Sequence, residues 1–167
     1  MEANIDVTGA GGASPLPARL PNLTFKRIFD APIALVFKAW TDPLHVAAWW
    51  GPHGFSNPFA AIEPHPGGRF HVHMQAPDGS IQPMGGHFEE IEAPNRIVFV
   101  TTLSGEDGSI IIENIHTVTL VDRGARTEMT LHSQMLYAAP SMLPHVGGME
   151  EGWSQSLERL GAILKAI

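Results

Sequence analysis

The sequence predicts an α+β domain in which a seven-stranded antiparallel sheet wraps one long C-terminal helix. Three observations carry this reading. From Phe59 to Ser133, apolar and polar residues alternate with period two and are interrupted by regular turn signals. After that stretch, Met149, Trp153, Leu157, Leu160 and Leu164 fall on a single helical face. The links between successive strands are short, which makes neighbours antiparallel and their order a meander.

The elements follow in order. Leu23 to Phe29 alternates and is rich in strand-favouring residues, so it forms the first strand. Pro32 suits a first helical position, and Ile33, Val36, Phe37 and Trp40 then make one apolar stripe. Asp42 caps a second short helix that opens on Pro43 and ends near Trp50-Gly51-Pro52. The two helices form a wedge, and Gly51 to Pro58 is a loop. Six further strands are expected at Ala60–Glu63, Arg69–Gln75, Met84–Glu92, Arg96–Leu103, Ser109–Val121 and Arg126–Ser133. Turns such as Pro66-Gly67-Gly68 and Pro77-Asp78-Gly79 separate them. The last helix begins either at Ser141 or near Gly148, because Pro144 and Gly147-Gly148 weaken its start.

Composition narrows the function. The chain has 167 residues, a length that suits one domain, and its 44% hydrophobic content with 16% charged residues marks a globular protein. Its net charge of -7 argues against nucleic acid as a partner, since tracking phosphates needs a basic face. No apolar run approaches a membrane span, and Met1 to Pro21 lacks the features of a signal peptide. With no cysteine there is no disulfide, thiolate zinc site or thiol nucleophile, which fits a cytoplasmic protein. Residues 1–21, with the run Thr8-Gly-Ala-Gly-Gly-Ala-Ser-Pro15, are expected to be a disordered tail, and residues 22–167 the domain. No nucleophile elbow, phosphate loop or dinucleotide fingerprint is present, so no catalytic residue and no cofactor is assigned.

Five motifs, Phe29-Asp-Ala-Pro32, Trp40-Thr-Asp-Pro43, Trp49-Trp-Gly-Pro52, Pro66-Gly-Gly-Arg-Phe70 and Gly148-Met-Glu-Glu-Gly-Trp153, resemble the family of heat-shock-protein-90 ATPase activator homologues. That family belongs to the START-like SRPBCC superfamily of helix-grip folds. The resemblance covers Leu23 to Ile167. It implies a helix-grip domain of stand-alone type, in a superfamily that includes lipid carriers, hormone receptors and polyketide aromatases and cyclases. The motif glycines and prolines read as backbone geometry, and the tryptophans as core.

Nine histidines stand against ten lysines and arginines, an unusual balance that register resolves. If Asp122–Ala125 close a tight hairpin, Val118 faces Met129 and His116 faces Leu131. Continuing the pairing sets Asn114 against Phe99, Phe99 against Glu90, and Phe88 against Phe70. Phe70, Val72, Met74, Phe88, Ile97, Phe99, Val118, Met129 and Leu131 then share one face. Glu90, Asn114 and His116 become polar residues on that buried face, where Glu90 and His116 are placed to pair, to orient a ligand, or to act as acid and base. His71, His73, His87 and His132 fall on the opposite face. His71, His73 and His87 have a spacing that suits zinc or nickel, but a solvated strand surface commonly carries such polar residues with no role, and no metal site is assigned. His45, His53, His65 and His145 belong to loops and helix ends, with His53 at a cavity mouth.

The leading expectation is a small hydrophobic or amphipathic ligand held between sheet and helix. Trp40, Trp50, Phe70, Phe88, Phe99, Met129 and Trp153 would form the wall, and Glu90, Asn114 and His116 the polar contacts. The resemblance implies two alternatives, a co-chaperone that binds a chaperone and a cyclase- or aromatase-like enzyme. A bare sheet face or edge leaves room for a homodimer.

Overall fold

A computed structural model describes residues 20–167, so the expected tail lies outside the described residues up to residue 19. The elements are β1 (Asn22–Phe29), α1 (Ile33–Thr41), α2 (Pro43–Trp49), β2 (Ser56–Ile62), β3 (Phe70–Gln75), β4 (Ile81–Glu92), β5 (Arg96–Ser104), β6 (Ile110–Arg123), β7 (Arg126–Ala138), a 3-10 segment (Pro140–Gly148) and α3 (Met149–Ala166). The seven strands form one antiparallel sheet in the order β1-β7-β6-β5-β4-β3-β2. The wedge therefore carries the chain from one sheet edge to the other. Leu20 and Pro21, assigned to the tail by sequence, are held by the sheet. Leu20 packs against the cluster of Ile112, Met135 and Val146, and the Pro21 carbonyl accepts the Met135 N–H at 2.9 Å.

Local chemistry accounts for most boundaries. Asp42 caps α2 by accepting the Leu44 N–H at 2.8 Å, and Pro43 begins the helix. Strand β2 starts at Ser56, ahead of the expected Ala60, and includes Pro58. An edge strand tolerates proline because one side of its backbone has no ladder partner. The segment around Pro144 is a 3-10 helix, and the α-helix proper begins at Met149. Proline removes a backbone donor and crowds the preceding turn, which delays the α-helical pattern.

Register departs from expectation in two ways with opposite consequences. The β6–β7 hairpin turns at Gly124-Ala125, with Arg123 opposite Arg126, so Val118 faces Leu131 and His116 faces Ser133. This is two residues from the expected pairing. Side-chain direction has period two, so the displacement leaves Asn114 and His116 on the inner face. Between β4 and β5 the register shifts by a single residue between Phe88 and Glu90. Phe99 takes Phe88 as its partner in place of the expected Glu90, which falls opposite Val98 and turns outward, while Ile91 packs on the core. The extra residue is a bulge, and it reverses the face of everything beyond it.

The inner face is covered at one end by aromatic rings. Trp40 and Trp49 are fully buried and meet edge to face at 4.7 Å. Phe70 and Phe99 stack at 4.4 Å, and Trp50 packs on Phe70 and Trp153. Leu157, Leu160 and Leu164 continue this contact along α3.

Arg159 locks α3 to the wedge. Its Nη1 donates to the carbonyls of Trp50, Gly51 and Pro52 at 3.0, 2.9 and 3.0 Å, and its Nη2 to Ala48 at 3.3 Å. These carbonyls end α2 and begin the next turn, where the helix offers few N–H partners and carries partial negative charge. Outside this cluster, His53 Nε2 lies 2.8 Å from Glu158 Oε1, and the His53 N–H donates to Gln155 at 3.0 Å. Arg159→Gln is expected to lower stability by about 2 kcal/mol, the usual worth of a charge-assisted hydrogen bond. Glu158→Gln, which breaks only an exposed pair, should leave stability almost unchanged. Urea unfolding of both variants compares the two losses, and equal losses would refute the lock.

Candidate functional site

Beyond the aromatic cluster the sheet and α3 do not close completely. A pocket of about 300 Å³ remains there, at the lower end of the range for small-molecule sites. Its helix side is Met149, Gly152, Trp153 and Ser156, which share one face of α3. Trp50, Gly51 and Pro52 come from the turn that Arg159 holds. The sheet side is Met74 and Met84, then Thr101 and Leu103, then Asn114 and His116.

Gly152 is one reason for the gap. A Cβ added there would find nothing within 4 Å, so the space in front of it is open. Three methionines line the same pocket, and their unbranched thioethers adapt to differently shaped occupants.

The polar wall is built around His116, which is 2% exposed. Its Nε2 lies 2.9 Å from Thr101 Oγ1 and its Nδ1 lies 2.8 Å from Ser133 Oγ, the hydroxyl directly across the β6–β7 ladder. A neutral imidazole donates at one nitrogen and accepts at the other, so one hydroxyl donates to the ring and the other accepts from it. The ring packs between Phe99 at 4.8 Å and Trp153 at 5.3 Å. Burial pushes its pKa down from the usual 6.5 to about 3, so the ring is neutral at pH 7. Asn114 stands opposite Thr101, and its amide oxygen is shielded from solvent without a hydrogen-bond partner.

Of the residues expected at the site, Trp50, Asn114, His116 and Trp153 meet at this pocket. Trp40, Phe70, Phe88, Phe99 and Met129 do not line it. They are essentially fully buried in the core, because the large rings fill the space between wedge and sheet and leave a gap only farther along. Glu90 is corrected outright. The bulge turns it to the surface, where its Oε1 accepts from Arg96 Nε at 3.2 Å, and it does not meet His116. Phe88 and Ile91 stand three apart with two glutamates between them, a break in period two that marks the bulge in the sequence itself. Thr101, Met84, Leu103 and Gly152 escaped sequence reading, which ranks residues by polarity and ring size rather than by the space left beside them.

The outward histidines do not converge either. Arg69, not His71, stands opposite His87, and His87 Nε2 pairs with Glu89 at 2.5 Å. Among the described residues, no three histidine or carboxylate side chains are placed to hold a metal ion. His53 is exposed and faces Glu158 rather than the pocket. No helix of the described residues is long and apolar enough to cross a membrane.

Solved structures share this architecture. A protein from Arthrobacter aurescens is 29% identical with a TM-score of 0.78, covering 87% of each chain. One from Chromobacterium violaceum is 24% identical with a TM-score of 0.74, covering 86% of this chain and 96% of its own. The AHSA1 protein from Silicibacter pomeroyi is 22% identical with a TM-score of 0.73, covering 87% of this chain and 99% of its own. No curated protein matches the sequence. These likenesses bear out the expected helix-grip fold, with its seven-stranded antiparallel sheet, C-terminal helix and two short helices after the first strand. The family model described as activator of Hsp90 ATPase homolog 1-like protein matches residues 30–165, from the start of the wedge to the last turn of α3, and the chain belongs to that family.

Proposed function

We propose that the domain binds a small hydrophobic or amphipathic molecule in the pocket between the sheet and α3. The observation that carries this reading is the unfilled space at Gly152. Glycine inside a helix is about 1 kcal/mol worse than alanine, and nothing stands in the way of a methyl group there. Stability alone would favour alanine, whereas keeping the space open favours an occupant. The surrounding wall of tryptophan, methionine and leucine, with a few placed polar groups, has the composition of a small-molecule site.

The chemistry of His116 favours binding over acid–base catalysis. Both ring nitrogens are engaged by hydroxyls, and Glu90, its expected carboxylate partner, lies on the outer surface. A ring held neutral between Thr101 and Ser133 fixes the shape and polarity of the wall.

Native mass spectrometry with extraction of co-purified small molecules tests the reading. The wild-type protein should retain a small molecule, and Gly152→Leu, which fills the space, should retain none. Gly152→Ala should gain about 0.5–1 kcal/mol in urea unfolding. An empty wild-type protein, or equal occupancy in Gly152→Leu, would overturn the proposal.

His116 also sets a pH dependence. Its folded pKa is depressed to about 3, so the unfolded chain takes up a proton first as pH falls through about 6.5. The stabilisation is complete above that value and is lost at about 1.4 kcal/mol per pH unit toward the folded pKa. Between pH 6.5 and 5, wild-type stability should therefore fall more steeply than that of His116→Gln. Parallel slopes would contradict a buried neutral histidine.

A further inference from the structure

We infer that the pocket selects an uncharged molecule bearing a hydroxyl, with that hydroxyl set against the Asn114 amide, and rejects carboxylates and phosphates. The inference rests on the binding reading and names its ligand class.

The wall of the pocket carries no charge. No lysine, arginine, aspartate or glutamate lines the pocket, in a chain that carries 27 such residues. A second recess shares Pro52 and Met74 with it and runs to Phe55 and Ile81, again without a charged side chain. An anionic ligand taken into such a place loses its hydration and gains no counter-charge, so it is excluded. The nearest cation is Arg159, whose Nη1 lies 3.8 Å from where a Cβ on Gly51 would stand. That Nη1 is engaged by the carbonyls of Trp50, Gly51 and Pro52, so turning it to a carboxylate in the pocket would unlock the wedge.

Hydrogen-bonding capacity in the wall is concentrated at Asn114. Thr101 and His116 bond each other, and Ser156 donates to the Gly152 carbonyl of its own helix at 3.0 Å. Asn114 differs, because its amide oxygen is shielded and has no partner. An unpaired buried acceptor is costly, and a ligand donor would remove that cost. The amide accepts at one end and donates at the other, and rotation about its last bond presents either end. A hydroxyl, which also does both, matches it. A bare hydrocarbon leaves it unpaired.

Three probes of one ring size separate the possibilities: naphthalene, 2-naphthol and 2-naphthoate. Each is titrated into the isotope-labelled protein while the indole N–H signals of Trp50 and Trp153 are followed by NMR. The expected order is 2-naphthol tightest, naphthalene about five- to tenfold weaker for want of one hydrogen bond, and 2-naphthoate weakest. Asn114→Leu should bring 2-naphthol down to the naphthalene level and leave naphthalene within about twofold of its wild-type affinity, since only the one hydrogen bond is removed. Naphthoate binding as tightly as naphthol would overturn the exclusion of anions. Equal binding of naphthol and naphthalene to the wild-type protein would overturn the role of Asn114, and that comparison holds even if the variant does not fold. If all three leave both indole signals unmoved up to their solubility limits, ligand binding itself fails, an outcome distinct from a wrong order among probes that bind.

Discussion

The meeting of the wedge, the sheet and α3 around a cluster of aromatic rings is the contact on which this domain depends. All four tryptophans of the chain take part, with Phe70 and Phe99 beneath them. Burying one such ring removes about 150–250 Å² from water, which at about 25 cal/mol per Å² is an upper bound of roughly 4–6 kcal/mol each. The cluster holds together elements far apart in sequence, from Trp40 to Trp153. It also decides where the pocket lies. Rings this large close the inner face at the wedge end, and the helix, starting only at Met149, reaches the far end with a glycine facing the sheet. The pocket is the space the rings do not reach.

Arg159 matters because the rings give adhesion but little direction. Apolar contact is roughly proportional to area and tolerates sliding. A guanidinium shared among four carbonyls does not, since it fixes the turn at Trp50–Pro52 relative to one position on α3. That turn is also the rim of the pocket, so the geometry of the rim is set by charge-assisted hydrogen bonds while its stability comes from the rings behind it.

Most of the fold was legible because its signals repeat. Alternation over six strands, a cap at Asp42 followed by Pro43, and an apolar face on α3 that steps by three and four each restate the same choice several times. The site was legible only in part, and the difference between Asn114 and Glu90 shows why. Both were placed by carrying a register across several hairpins. The β6–β7 pairing was displaced by two residues, and Asn114 and His116 kept their face. Past the bulge the β4–β5 pairing is displaced by one, and Glu90 loses its own. Parity, not distance, is what a strand conserves. A single inserted residue is a small local event with no composition of its own, and here only the three-residue spacing from Phe88 to Ile91 betrays it.

The wall residues were harder to foresee for a different reason. Core packing is dense, and a cavity is the small difference between the space that the elements enclose and the volume of the side chains that fill it. Sequence reports the side chains but not the enclosed space, so the large aromatics read as wall residues and instead fill the core. What marks the pocket is the opposite kind of residue. Gly152 contributes no side chain at a helical position where one would be tolerated, and Asn114 keeps a buried acceptor without a partner in an uncharged wall. Each is a small sacrifice of stability, neither is required by the fold around it, and the two border one space. A site of this kind declares itself by local choices that packing alone would reverse, and those choices become visible only when the neighbours of each residue are known.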